Sequence, residues 1–288
     1  MIANLAGVLF DGIAYGALLF LIGIGLSVTL GLMNFVNLAH GAFAMLGGYT
    51  TVVLMTRAGV PFLAALPVAF VVAAVAGAVL ERLLYRRLYL ASHLDQVLFS
   101  IGLTFMAIAG ATYVWGPGLQ PVALPAFLIG QVKVLGLEVG AYRLFLVALV
   151  VVITVTLVLL IERTRFGAQV RAAVDSHQAA AGLGIDVNRV FSLTFALGSG
   201  LAGLGGGLGI EVLGLDPTFP IKYMVYFLLV VAVGGAGSIK GALLAALILG
   251  VFDVAGKYFV PEVGAFVIYV LMVVLLILFP TGLYGRRG

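Results

Sequence analysis

The sequence predicts an all-α protein that crosses a membrane many times, and three observations lead to this fold class. Of its 288 residues, 64% are hydrophobic and only 9% are charged, whereas about a quarter of the residues of soluble domains are charged. The apolar residues form runs of roughly the 20 residues that a membrane-spanning helix needs. The charges lie in short stretches between these runs. The whole chain, 1–288, is therefore predicted to be a single transmembrane domain.

Nine apolar segments are candidate spans, which predicts eight or nine crossings. They are Leu5–Leu30, Leu38–Met55, Pro61–Leu80, Val97–Val114, Leu144–Ile161, Phe191–Gly209, Tyr223–Gly237, Leu243–Tyr258 and Val263–Phe279. Polar or glycine-rich residues interrupt the pattern near 31–48 and 234–241. Non-helical backbone is tolerated at membrane depth only where protein or a water-filled cavity surrounds it. Both regions are therefore predicted to be broken or re-entrant helices.

The basic residues predict the orientation of the chain, because lysine and arginine collect on the cytoplasmic side. If residues 162–190 are cytoplasmic, alternation of the spans places ten basic residues on that side and five on the other. The N-terminus is then outside and retained as part of the first span, and the C-terminus is cytoplasmic. Residues 116–142 become the main external loop. The positive charge is explained by the membrane, so no nucleic-acid partner is predicted.

The stretch 162–190 is the longest charged interruption of the apolar pattern, and its middle is rich in alanine and glycine. A helix is predicted there, ended by Gly182 and Gly184. Small side chains let another protein approach closely, so the segment is predicted to be a docking site. The alternative is an ordinary solvated connector. The predicted docking residues are Ala172, Val174, Asp175, Ser176, Ala179, Ala180, Gly182, Gly184 and Ile185.

Three polar residues lie close together in the first interruption: Asn34, Asn37 and His40, followed by Gly41. Polar side chains at membrane depth cost free energy unless they find partners. They are predicted either to line a translocation path or to cap the broken helix, and capping is favoured. Asp11 and Asp253 lie within apolar runs. Asp11 is expected near the outer surface and Asp253 is expected to pair with Lys257, one helical turn on.

Four stretches of the sequence resemble one family, the permease subunits of branched-chain amino acid ABC importers of the LivH-type group. They are Gly31–Tyr49 (GLMNFVNLAHGAFAMLGGY), 163–187 (RTRFGAQVRAAVDSHQAAAGLGIDV), Gly234–Gly250 (GGAGSIKGALLAALILG) and Pro280–Gly285 (PTGLYG). They occur in the order typical of the family and extend from the second predicted span to the C-terminus. Within the resemblance, 163–187 is similar to the family's coupling loop.

The resemblance implies a multi-pass subunit of a bacterial inner membrane without an ATP site of its own. Its implied partners are a second, homologous permease, two ABC ATPases that carry the ATP and Mg²⁺, and a periplasmic binding protein. The binding protein would dock on the external edge, including Asp216, Pro217, Thr218 and Phe219. The family handles leucine, isoleucine and valine, and close relatives carry other amino acids, urea or short amides.

The residues themselves agree with a chain that performs no chemistry. A phosphate-binding loop needs G-x-x-x-x-G-K-[ST], and the nearest approach, Gly235–Gly241, does not satisfy it. There is no cysteine and no HExxH metal spacing, so no metal site or cofactor is predicted in this chain. Two other classes are alternatives to an importer subunit: an ion-coupled carrier that uses Asp11, Asp253 or His40, and an intramembrane enzyme.

Overall fold

The computed structural model describes residues 2–33, 35, 37–89, 91–134 and 137–284, without the side chains of residues 2–4, 32 and 137. Eleven α-helices lie within these ranges, and each predicted span contains one. The helices are α1 Ile2–Met33, α2 His40–Ala58, α3 Phe62–Leu83, α4 His93–Trp115, α5 Ala141–Arg163, α6 Arg165–Asp175, α7 His177–Gly182, α8 Val187–Leu213, α9 Phe219–Gly234, α10 Ile239–Phe259 and α11 Gly264–Leu278.

Six of the described helices are long and apolar enough to cross a membrane, namely α1, α3, α4, α5, α8 and α10. Two further apolar helices, α9 and α11, are shorter. These findings confirm a helical, multi-pass membrane protein. The count of eight or nine crossings stays a prediction, because it depends on α2, α9 and α11.

The predicted external loop contains the one departure from an all-α fold among the described residues. Strands β1 Gln131–Val134 and β2 Leu137–Gly140 pair in an antiparallel hairpin, with Lys133 opposite Glu138. The Nζ atom of Lys133 lies 3.4 Å from a carboxylate oxygen of Glu138. Valine alternates with polar residues in β1, a pattern typical of a strand, although only Val134 is half-buried and the other three residues are exposed. The span-based prediction did not consider this short pattern.

Glycines allow the central helices to pack at backbone distance. A Cβ atom on Gly16 of α1 would lie 2.6 Å from the carbonyl oxygen of Ala246 in α10, and one on Gly203 of α8 would lie 2.4 Å from the Cβ atom of Ala73 in α3. Close backbone approach at G-x-x-x-G pairs is a common way of packing helices in a membrane. Gly16 and Gly203 belong to the G-x-x-x-G pairs Gly12/Gly16 and Gly203/Gly207, and both members of each pair face a neighbouring helix.

Helices α1–α3 and α8–α10 form two sets with matching contacts, in which α2 packs on α3 as α9 packs on α10. The first helix of each set packs on the third helix of the other, α1 on α10 and α8 on α3. Helices α1 and α8 also cross each other in opposite directions, with Gly25 facing Gly198 and Leu18 facing Gly209. The second helix of each set, α2 or α9, follows an irregular segment. These two sets of three helices are arranged as an inverted repeat, with α4 to α7 between them in the sequence.

The first irregular segment, between Met33 and His40, is shorter than the predicted break of 31–48, and it turns back into the protein interior. Helix α1 continues to Met33, and α2 begins at His40. The Nε2 atom of His40 lies 2.8 Å from the carbonyl oxygen of Ile22, in the middle of α1. At 1.5 Å per residue, Ile22 lies roughly 16 Å from the end of α1, so the His40 side chain reaches α1 far from that end. Of its described residues, Phe35, Asn37 and Ala39 are buried and Leu38 is half-buried, and because the chain turns back beside α1 we call this stretch the re-entrant segment.

The second predicted break is a short turn. Residues 235–238 connect α9 to α10, and the N–H of Gly237 donates to the carbonyl oxygen of Ser27 in α1 at 2.9 Å. A different irregular segment, 214–218, was not predicted as a break. It lies between α8 and α9, and its Leu215 is fully buried against Gly48.

Candidate functional site

The predicted docking segment folds as two short helices instead of one. Helix α6 ends at Asp175, and Ser176 adopts an extended conformation before α7 begins at His177. The Ser176 side chain accepts a hydrogen bond from the N–H of Ala179 at 3.2 Å, as a helix N-cap does. The prediction of one continuous helix up to Gly182 was therefore wrong, because Ser176 starts a new helix. The predicted helix end is confirmed, because α7 ends at Gly182 and the φ of Gly184 is +81°.

The two helices fold over a small hydrophobic core, here called the loop core. It is separate from the core of the bundle. The buried residues that form it are Val170, Ala173, Ala180, Val187, Val190 and Phe191. Ala180 was predicted to contact a partner, but only 2% of it is exposed. Its side chain therefore holds α7 on α6 and α8, and is not part of a docking surface.

The opposite side of α7 and the turn after it are exposed, and we call Ala179, Gly182, Leu183 and Gly184 the docking face. Leu183 is 82% exposed and was absent from the prediction. Its signal in the sequence was an isolated leucine between two glycines at a predicted helix end. Of the other predicted docking residues, Val174, Asp175 and Ser176 are exposed, and Ala172 and Ile185 are half-buried.

A groove of about 420 Å³ separates the loop from the end of the bundle. Its walls come from α6, the last turns of α1, the 235–238 turn and Tyr284. Beside it, Nζ of Lys240 lies 3.6 Å from a carboxylate oxygen of Glu162. The loop, the Lys240 turn and Tyr284 thus lie at one end of the bundle, as predicted. We call it the loop end. Arg286 and Arg287 lie outside the described residues.

The polar residues of the re-entrant segment make the contacts of a cap. The Oδ1 atom of Asn37 accepts hydrogen bonds from the N–H of Ala39 at 3.1 Å and from the Tyr85 hydroxyl at 2.9 Å. His40 contacts the backbone of Ile22, and Gly41 packs against Pro220 at the start of α9. Asn34 lies outside the described residues. These contacts favour capping, and a path-lining role remains a proposal.

The predicted binding-protein contact, residues 216–219, is mostly interior. Pro217 is buried and Phe219 is only 1% exposed, whereas Thr218 is exposed and Asp216 is half-buried. The Oδ1 atom of Asp216 accepts from the N–H of Thr218 at 2.7 Å and so shapes the turn into α9. Pro217 and Phe219 therefore pack the 214–218 segment, and of the four residues only Asp216 and Thr218 can meet a partner.

The two carboxylates considered for ion coupling are both paired. Asp11 forms an ion pair with Arg143 near the end of the bundle opposite the loop, as expected for a residue near the surface. The Oδ2 atom of Asp253 lies 2.6 Å from Nζ of Lys257, which confirms the predicted pair. The other oxygen of Asp253 is buried without a hydrogen-bond partner. No group of three or more potential metal ligands occurs among the residues that the structure describes.

Sequence reasoning missed a fully buried carboxylate at the loop end, that of Glu81. The Tyr89 hydroxyl donates to its Oε1 atom at 2.6 Å, and Arg86 lies 3.4 Å from its Oε2 atom. The hydroxyl of Ser192 in α8 also donates to Glu81. Burial, and then the hydrogen bond to Glu81, raises the pKa of Tyr89, so its hydroxyl stays a donor. The sequence signal for this buried carboxylate was the occurrence of Glu81, Arg86 and Tyr89 directly after the apolar run of α3.

Comparison with known proteins gives one consistent result. The family model described as "Branched-chain amino acid transport system / permease component" matches residues 8–276. The permease protein LivH of the high-affinity branched-chain amino acid transport system of Escherichia coli K12 is 30% identical, over 96% of this chain and 94% of its own length. BraD, the corresponding protein of Pseudomonas aeruginosa, is 28% identical, over 96% and 95%.

A more distant relative is LivM of Escherichia coli K12, a permease protein of the same kind of system. It is 26% identical over 91% of this chain and 67% of its own length. No solved structure matches this chain.

Proposed function

We propose the function of this chain from one premise, that it belongs to the family of permease components of branched-chain amino acid transport systems. The chain is a transmembrane subunit of an ATP-driven importer, and its cargo is a branched-chain or similar hydrophobic amino acid. This cargo is supported by the names of the relatives LivH and BraD, which match nearly the whole chain. The proposed location is a bacterial inner membrane.

The proposed partners supply what the chain lacks. Its sequence contains no G-x-x-x-x-G-K-[ST] phosphate loop, so ATP and Mg²⁺ would bind to two separate ATPase subunits. The similarity to both LivH and LivM supports a second, different permease subunit as the neighbour in the membrane. A periplasmic binding protein would deliver the substrate at the end opposite the loop, beside Thr218 and the 116–142 loop. In such an assembly the binding protein does most of the selecting of cargo.

The observation that carries the proposal is the docking face. An exposed leucine and three small residues lie on α7 and the turn after it, and the other side of α7 is fixed by the loop core. Buried apolar anchors surrounded by residues that permit close approach are typical of protein interfaces. The loop core makes the docking face stiff, so a displacement of the ATPase would move α6, α7 and the start of α8 together.

Co-purification with the ATPase tests this assignment. Ala179→Arg adds a long charged side chain to the docking face, and we expect it to reduce recovery of the ATPase at least tenfold, because one desolvated, unpaired charge costs about 1.4 kcal/mol or more. Ala168→Arg is the matched control, since Ala168 is exposed on α6 outside the docking face. Equal recovery with Ala179→Arg and wild type would contradict the proposal.

Ala180→Arg separates docking from folding. Ala180 lies one position further along the chain but is buried in the loop core, so its replacement is expected to disrupt the loop itself. Proteolysis of the loop should therefore accelerate for Ala180→Arg and not for Ala179→Arg.

A further inference from the structure

Tyr89 lies where the loop core meets the core of the bundle. The aromatic ring packs against both clusters, a property it shares only with Met33 among the described residues. Its edge contacts Phe191 of the loop core, with ring centroids 5.7 Å apart, and Phe35 of the re-entrant segment, with centroids 6.2 Å apart. One side chain therefore touches the start of α8 and the irregular backbone before α2.

Contacts continue in both directions from this ring. Toward the docking face, Phe191 packs against His177 in the first turn of α7. Toward the interior, Phe35 packs on Tyr85 at 5.3 Å, and the Tyr85 hydroxyl donates to Asn37. The series links α7 to the cap of the re-entrant segment without a gap. Packed side chains of this kind can carry energetic coupling between distant sites when the elements they join have two arrangements.

The hydroxyl of Tyr89 fixes the ring at this junction. It donates a hydrogen bond to the carboxylate of Glu81, which is fully buried. The same carboxylate also accepts a hydrogen bond from the hydroxyl of Ser192 in α8. Hydrogen bonds to a buried charge are strong and directional. The ring of Tyr89 therefore cannot slide relative to α3 and α8 without breaking this hydrogen bond.

We propose that Tyr89, anchored on Glu81, is the positioning residue that transmits movement of the α6–α7 loop to the re-entrant segment. This inference rests on the proposed function, because the movement originates in the ATPase. Tyr89 touches neither substrate nor nucleotide in this role. It acts through Phe191 on one side and Phe35 on the other.

Tyr89→Phe tests the inference, because it keeps the ring and removes only the bond to Glu81. The variant is assembled with its partner subunits in proteoliposomes, and radiolabelled leucine uptake and ATP hydrolysis are measured in the same vesicles. We expect ATP hydrolysis to stay within about twofold of wild type and leucine uptake per ATP to fall roughly tenfold, as coupling residues alter such ratios. Tyr113→Phe is the control, since Tyr113 is 92% exposed.

Uptake per ATP is a ratio that a merely structural role would not change. If Tyr89→Phe lowers uptake and hydrolysis in proportion, or changes neither, the inference is overturned. Should the variant not fold, Ser192→Ala removes the α8 donor to the same carboxylate and is judged by the same ratio. Failure of the wild-type chain to bind an ATPase would instead contradict the proposed function.

Discussion

Gly206 shows how strongly single residues fix the packing of this bundle. A Cβ atom on Gly206 of α8 would lie 1.8 Å from the carbonyl oxygen of Ala44 in α2. Backbone atoms cannot move aside as the end of a flexible side chain can. The hydrogen atom of this glycine is therefore the only side chain that permits α2 and α8 to cross at their present distance.

Gly206→Ala is expected to destabilise the protein by about 1–3 kcal/mol through overpacking. The apparent melting temperature in detergent measures this loss. Gly102→Ala in α4 is the matched control, because nothing lies within 4 Å of its added methyl group. That change should be neutral or slightly stabilising. A Gly206→Ala protein that melts like the Gly102→Ala protein would contradict the close crossing.

At the scale of elements, the re-entrant segment depends on hydrogen bonds from outside its own backbone. The described residues of the segment, Phe35, Asn37, Leu38 and Ala39, are not helical, so their backbone groups need other partners where they are buried. Asn37 supplies an acceptor to Ala39, Thr104 of α4 lies 3.4 Å from the carbonyl oxygen of Leu38, and Tyr85 holds Asn37 in place. The segment is therefore fixed by α4 and by the connection after α3.

A double-mutant cycle checks the bond between Asn37 and Tyr85. Asn37→Ala leaves the Ala39 N–H and the Tyr85 hydroxyl without this acceptor, and we expect a loss of about 1–3 kcal/mol in stability. Tyr85→Phe should cost less, about 1 kcal/mol. Because the two groups share one hydrogen bond, the combined variant should lose less stability than the sum of the two single losses, by about 0.5 kcal/mol or more. Strict additivity in thermal unfolding would show that the bond does not form.

At the scale of the whole molecule, the two ends of the bundle differ in the surfaces they present. The loop end carries the docking face, and the opposite end carries the β1–β2 hairpin beside the start of α5. The excess of basic residues predicts that the loop end faces the cytoplasm. The absence of cysteine allows this to be tested with single introduced thiols.

We expect Leu119→Cys to react with a membrane-impermeant maleimide added to the outside of intact spheroplasts, and Leu183→Cys to react only after the membrane is opened. Both leucines are exposed in this chain, 68% and 82% respectively, so in spheroplasts that produce it without its ATPase the access of the reagent depends on the side of the membrane alone. The opposite labelling pattern would reverse the orientation. Equal labelling of both thiols in intact spheroplasts would contradict a membrane between them.

The span helices could be predicted because each is one long apolar run, so the whole signal lies within a single stretch of the sequence. The burial of the 214–218 segment could not be predicted. It depends on the contact between Leu215 and Gly48 of α2, and nothing in the neighbouring sequence indicates that contact. Ala179 and Ala180 are the same residue type, and their opposite exposure follows from the new helix that Ser176 begins. In the sequence, Glu81 likewise looks like a surface charge, because the hydroxyl groups of Tyr89 and Ser192 that bind it come from other parts of the chain.

The separate loop core has a consequence for the folding energetics of this protein. A small cluster with its own buried residues can open without unfolding the rest, as cooperative local units do in other proteins. We expect the amides of α6 and α7 to exchange with deuterium together, at a rate set by a lower free energy of opening than that of α1 or α8. An ATPase bound to the docking face would then slow exchange of the whole unit, including amides that it never touches.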